Sequence, residues 1–279
     1  MMMKLFVIAM AVFSRLFPGR AGRVALDMMT TPRRFALDAG AGVVPPERIV
    51  PVGSRARLLV WPGGPRRVLL VHGWSGHTQQ FQPLMTELGR ARYTFYALQM
   101  PGHGDEMDGA AHVGDFIISI RQALDEIGEP LDLAVGHSMG AAALAFVLAE
   151  RTDVPRAILV APPTNFRAMV SRMALFLRFG SSARQHLLEG MANRVGIGYE
   201  VLDIARRGRR ISCPVLLVHD MTDREVPFAD TLRLHQAVAK AQLFQTSGLG
   251  HRRLLAEPSV LKAIHGFADE PATEVRASA

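Results

Sequence analysis

Gly136-His137-Ser138-Met139-Gly140 places a serine hydroxyl between two glycines, directly after the apolar run Leu131-Asp132-Leu133-Ala134-Val135 and before the small-residue run 141–150. A serine on a sharp strand-to-helix turn takes a strained backbone conformation. The residues two before and two after it must be small so that neighbouring backbone can pass closely. The helix of alanines that follows can sit tight on a sheet and would leave the Ser138 hydroxyl at its N-terminus. The five-residue pattern alone arises by chance on the order of once in ten chains of this length, and the surrounding residues carry the signal. A serine hydroxyl is a poor nucleophile at neutral pH and needs a base to take its proton. Two polar loops downstream could supply one. His219-Asp220-Met221-Thr222-Asp223-Arg224-Glu225-Val226-Pro227 follows the strand-like run 214–218, and Gly248-Leu249-Gly250-His251 follows the strand-like run 242–246. Serine, then acid, then histidine is one recurring chain order for an activated serine. Upstream, Val68-Leu69-Leu70-Val71 runs into His72-Gly73-Trp74, a turn that could offer a backbone N–H to an oxyanion.

These residues need elements to hold them. After a Pro-rich linker over 43–51, residues 57–61 read as an edge strand and Pro62-Gly63-Gly64-Pro65 as a turn. Strands are then predicted at 68–71, 94–98, 131–135, 157–160, 214–218 and 242–246, alternating with helices at 79–90, 113–127 and 141–150. Such alternation, with Val, Leu and Ile runs, implies a mostly parallel sheet covered on both faces. In an open sheet of that kind, sites form at the carboxyl edge of the strands, where all of these loops would lie. Residues 164–210 break the rhythm and read as helical. Phe166, Met169, Val170, Met173, Phe176 and Leu177 recur there at spacings of three and four. That stripe either packs an amphipathic helix on the core or lines an apolar acyl pocket.

Taken together, His72-Gly73-Trp74-Ser75-Gly76, Pro101-Gly102-His103-Gly104, the Ser138 turn, the Asp220/Asp223 segment and Gly250-His251 resemble the α/β-hydrolase superfamily, in particular compact bacterial serine hydrolases of the esterase, lipase and S33-peptidase-like kind. The resemblance spans roughly residues 55–268. One departure is Gln99-Met100, where relatives often carry an acid before Pro-Gly-His-Gly. The resemblance implies an α/β-hydrolase fold, with a core at 43–163 and 211–270 and a helical cap insertion at 164–210; the flanking residues read as an apolar and basic helical arm at 1–42 and a tail at 271–279. It implies a triad of Ser138, Asp223 and His251. Asp223 is preferred to Asp220 because it matches the family acid, whereas Asp220 at the strand end is suited to tying the loop down. The Trp74 and Met139 N–H groups are the expected oxyanion donors, and His72, Met169, Met173 and Phe176 the expected pocket residues. The expected activity is cofactor-free cleavage of a carboxylic ester with a small to medium apolar acyl group. Amide or thioester cleavage and acyl transfer would use the same groups, and a silent binding scaffold would be expected to lack one of them.

Composition bounds the rest. The chain has 279 residues, 49% hydrophobic and 20% charged, enough for one domain with a sizeable core. A single cysteine, Cys213, precludes an intramolecular disulfide and reads as a buried thiol. No His/Cys/Asp spacing suggests a metal and no Gly-rich strand–helix junction a dinucleotide. The net charge of +7 is carried almost wholly by arginine, with a dense cluster at Arg206-Arg207-Gly208-Arg209-Arg210. No aromatics interleave with that cluster, which argues against nucleic acid. The run 5–13 is too short to span a bilayer and is followed by Arg15, Arg20 and Arg23 rather than a cleavage site. A helix with Phe6, Met10, Phe13 and Phe17 at helical spacing is the expectation, either packed on the protein itself or in weak contact with a membrane surface. The sequence thus points to a cytoplasmic protein, with peripheral contact of the arm with a membrane and export as the lesser readings.

Overall fold

The computed structural model describes residues 2–33, 43–104 and 109–270. The tail 271–279 and the end of the arm, 34–42, lie outside them. Eight strands form one sheet: β1 (Arg48–Val52), β2 (Ala56–Trp61), β3 (Arg66–Val71), β4 (Tyr93–Gln99), β5 (Leu133–His137), β6 (Ala157–Val160), β7 (Val215–Asp220) and β8 (Ala241–Thr246). Their spatial order is β1-β2-β4-β3-β5-β6-β7-β8. The pairings of β1 with β2 and of β2 with β4 are antiparallel, and all others are parallel. The expected mostly parallel sheet is therefore present, built from strands with continuous apolar runs because both faces are covered.

One expectation is corrected here. Residues 57–61 are not an edge strand. The segment expected as a linker contains β1, whose Pro51 pairs opposite Arg57 and which itself forms the edge. Proline cannot donate to a ladder and is tolerated at an edge, so it hid a strand rather than excluding one.

The helices are α1 (Met2–Leu16), α2 (Pro18–Thr30), α3 (Gln82–Leu88), α4 (Val113–Ile127), α5 (Met139–Leu148), α6 (Phe166–Phe176), α7 (Ser181–Val195), α8 (Ile204–Arg207), α9 (Phe228–Ala237) and α10 (Pro258–Asp269). Two apolar layers sandwich the sheet. On one side α4 and α5 pack with Leu69, Val71 and Leu217; on the other, α3 and α10 pack with Leu70, Val135 and Val218. Alternate residues of a strand point to opposite faces, which is why Leu69 and Leu70 belong to different layers. Each layer completes its burial with a large side chain, such as Phe116 of α4 and Phe81 before α3, both fully enclosed.

Between β6 and β7 the chain departs from the sheet to form α6, α7 and α8. The arm packs on this excursion. Ala21, Ala25 and Leu26 of α2 are buried, and a Cβ at Gly22 would lie 2.8 Å from the His186 Cβ of α7. The Arg194 guanidinium donates to Thr30 Oγ1 at 2.6 Å. By contrast α1 buries only Met10 and Ser14.

Candidate active site

Ser138 stands at the junction of β5 and α5 with φ 54° and ψ −123°. A non-glycine residue in that region is strained and persists only where its surroundings over-determine it. The surroundings are visible. The Ser138 N–H donates to Val160 O at 2.8 Å, and a Cβ on Gly140 would meet His72 O at 2.3 Å. The start of α5 is therefore pressed onto the end of β3, a contact that only glycine permits. A Cβ on Gly73 would likewise lie 2.7 Å from Ser138 Cβ. The His72-Gly73-Trp74 turn runs against the serine for that reason. Met139 opens α5, where the first N–H groups of a helix have no partner within it.

The acid and the histidine come from the loops after β7 and β8. His251 Nδ1–H donates to Asp223 Oδ2 at 2.6 Å, with both side chains buried. Asp223 Oδ1 accepts the N–H groups of Glu225 at 2.7 Å and Val226 at 3.0 Å. Burial opposes its ionisation. The hydrogen bonds from His219, His251 and Val226 overcome that and hold its carboxyl well below the usual carboxylate range. Asp220 faces elsewhere. It accepts from the Thr222 hydroxyl and N–H, from Thr246 Oγ1 at 2.8 Å and from the Leu249 N–H at 3.0 Å. Asp220 thus ties the acid loop to the histidine loop.

Three further imidazoles surround the serine, each with its tautomer fixed by a carbonyl that can only accept. His72 Nδ1–H donates to Gly73 O at 2.8 Å, and its Nε2 accepts the Met100 N–H. His103 Nδ1–H donates to Pro101 O at 2.8 Å, and its Nε2 accepts the Ser75 N–H at 3.0 Å. His103 therefore braces the glycine turn against the loop after β3. His137 Nε2–H donates to His251 O at 3.1 Å. Burial lowers all three pKa values, His72 well below its ordinary value, His103 to about 4 and His137 to about 3.

Ser138, His251, Gly73, Trp74 and His137 line one open cavity of about 420 Å³. Its remaining walls are apolar at Pro83, Leu255 and Ala256 and polar at Gln79, Gln80, Glu225 and Arg252. No residue of 164–210 lines it, which corrects the expected pocket. Met169 and Met173 pack against the core, Met169 beside a separate small void with Phe146 and Phe166. Phe176 points to solvent, 54% exposed, and His72 lies wholly buried behind the turn. A stripe at helical spacing marks one helix face but does not say which neighbour it meets.

His219 was missed as a site residue. Its Nε2 lies 3.2 Å from Asp223 Oδ2 and 3.1 Å from Val226 O, while its Nδ1 accepts the Thr231 hydroxyl. Its place four residues before the acid, at the end of a buried strand, was the available signal. No cluster of three or more metal-ligating side chains occurs among the described residues.

Comparison with known proteins adds ancestry to this geometry. The chain is 28% identical to a non-heme chloroperoxidase of Streptomyces lividans, over 71% of this chain and 90% of that protein. Its fold is similar to that of an esterase of Pyrococcus furiosus, with a TM-score of 0.63 at 17% identity, covering 85% of this chain and 97% of the other. It is also similar to E-2-(acetamidomethylene)succinate hydrolase, with a TM-score of 0.59 at 20% identity, covering 80% and 98%. A model of the alpha/beta hydrolase family matches residues 68–264, which span β3 through most of α10 and include the serine, the acid and the histidine. The chain belongs to the alpha/beta hydrolase family and is an enzyme of that type.

Proposed function

We propose that this hydrolase cleaves a carboxylic ester with a small to medium, apolar acyl group through an acyl-enzyme formed on Ser138. The observation that carries the reading is the shared cavity. Ser138 and His251 line the same cavity, while the far nitrogen of His251 is committed to Asp223 at 2.6 Å. His251 Nε2 takes the Ser138 proton as Oγ attacks the ester carbonyl, and Asp223 stabilises the imidazolium that forms. The oxyanion is received by the Met139 N–H at the head of α5 and by the Trp74 N–H. One such donor is worth about 3 kcal/mol of barrier. The alcohol leaves with the proton from His251, and water, deprotonated by the same imidazole, releases the acid and restores Ser138. The acyl group fits the apolar part of the cavity, between Trp74, Pro83 and Leu255. The test is labelling with a fluorophosphonate, followed by turnover of p-nitrophenyl esters of increasing chain length. Ser138→Ala is expected to lose both labelling and turnover without a change in melting temperature. Stoichiometric labelling of that variant would end the assignment.

A further inference from the structure

Helix α1 presents apolar side chains to solvent where a soluble helix presents polar ones. Leu5, Phe6, Ile8, Val12 and Leu16 are each at least 38% exposed, and Met2 and Met3 more than half. At 100° per residue, Leu5, Ile8, Val12, Leu16, Met2 and Phe6 form one continuous arc, with Lys4 and Arg15 along one margin. A second exposed apolar pair lies close to α1 along the chain that contacts it. The turn after α6 is fastened to it, for the Gly180 N–H donates to Ser14 Oγ and Arg15 Nη1 donates to Arg178 O, both at 3.4 Å. Just before that turn lie Leu175 and Phe176, 61% and 54% exposed.

The charge distribution says what covers this surface. Residues 2–26 contain Lys4, Arg15, Arg20 and Arg23 and no carboxylate side chain, the first being Asp27. Residues 157–188 contain Arg167, Arg172, Arg178 and Arg184 and again no carboxylate. These two packed stretches carry +8 against a net charge of +7, so the remainder of the chain, at −1, is close to neutral. Apolar side chains with cations at their margin, Lys4 and Arg15 on α1 and the exposed Arg178 at the turn beside it, match a bilayer interface carrying anionic lipid. The helix has 15 residues, about 22 Å at 1.5 Å per residue, short of the roughly 30 Å of hydrocarbon, and no described helix is long and apolar enough to cross a membrane. It is suited to lie in the interface plane.

We propose that α1, together with the Leu175–Phe176 end of α6, docks the protein on an anionic membrane surface. The inference does not depend on the role of Ser138.

The experiment is sedimentation of the full chain with vesicles of phosphatidylcholine alone or with about a third phosphatidylglycerol. Binding is expected to be at least tenfold tighter to the anionic vesicles, and to weaken as salt rises from about 0.05 to about 0.5 M. Ile8→Ser/Val12→Ser/Leu16→Ser should abolish binding while leaving the melting temperature and soluble-ester turnover as they are. Lys4→Gln/Arg15→Gln should weaken binding to anionic vesicles by roughly tenfold or more and leave binding to phosphatidylcholine unaltered. The proposal fails if the unmodified protein stays in the supernatant with anionic vesicles, or if the triple variant binds as before. It fails equally if the protein is a dimer that the triple variant dissociates, since a second copy would then cover the face. Running the assay on Ser138→Ala protein separates it from the catalytic reading, because binding there should be intact.

Discussion

His219 Nε2 lies 3.2 Å from Asp223 Oδ2, the same oxygen that accepts the proton-bearing nitrogen of His251. The acid is thus gripped by two imidazoles, one facing the cavity and one buried behind it. The rear imidazole is itself fixed by the Thr231 hydroxyl. Replacing His219 by Leu removes one charge-assisted hydrogen bond, a loss of about 1.5 kcal/mol or more. We expect kcat to fall by about tenfold or more with KM nearly unchanged, since the substrate does not reach His219. A proportional rise in KM would instead indicate that the cavity had been reshaped.

Asp223→Asn and Asp220→Asn should separate chemistry from architecture. The first offers His251 an amide in place of a carboxylate and should reduce kcat by about 10⁴-fold with little change in melting temperature. The second breaks the ties to Thr222, Thr246 and Leu249 and should destabilise the fold by about 2 kcal/mol with a smaller loss of rate. Steady-state kinetics and thermal melts on the same two proteins decide this, and a reversed pattern would transfer the catalytic role to Asp220.

Acid should unfold the protein earlier than its carboxylates alone would require. His72, His103 and His137 are kept neutral by burial, with folded values of about 4 for His103 and about 3 for His137 against 6.5 as the reference. The unfolded chain takes up these protons near pH 6.5 and the folded chain does not. Each histidine's contribution is therefore complete above pH 6.5 and is lost as the pH falls toward the folded value, by about 1.4 kcal/mol per pH unit. Melting temperature should drop steadily between pH 6.5 and 4. His137→Gln should lower it at pH 7.5 yet flatten that slope. A melting temperature constant over the interval would refute the account.

Met169→Ala and Met173→Ala should each cost about 2 kcal/mol of stability or less, both side chains being half-buried against the core, and should leave the ester chain-length profile as it is. Phe176→Ser should leave the melt alone, because Phe176 is 54% exposed. A changed chain-length profile in any of the three would bring the α6 stripe back to the pocket.

The sequence made the sheet legible because each core strand is a short apolar run bounded by turn residues, and Ala157–Val160 and Val113–Ile127 agree with the sequence expectation at both ends. The Ser138 turn was legible because its glycines answer a steric demand that the fold does impose, through Gly140 against His72. Three things were not. Pro51 masked β1, since a residue that cannot donate is still allowed at an edge. The α6 stripe gave a period but no partner. His219 gave no signal beyond its place four residues before Asp223, because its contact depends on a carboxylate that only the loop after β7 folds back onto it.

The Asp220 ties have a mechanical consequence. They weld the loops after β7 and β8 into one block that carries Asp223 and His251 together. The serine rides on a different block, β5 and the turn after β3, with β6 lying between. Across that gap runs the hydrogen bond from His137 Nε2 to the His251 carbonyl, a rivet between the two blocks. If the rivet shears, Asp223 and His251 stay matched to each other while both lose their alignment with the Ser138 hydroxyl. Activity should then fade at temperatures where the sheet is still whole.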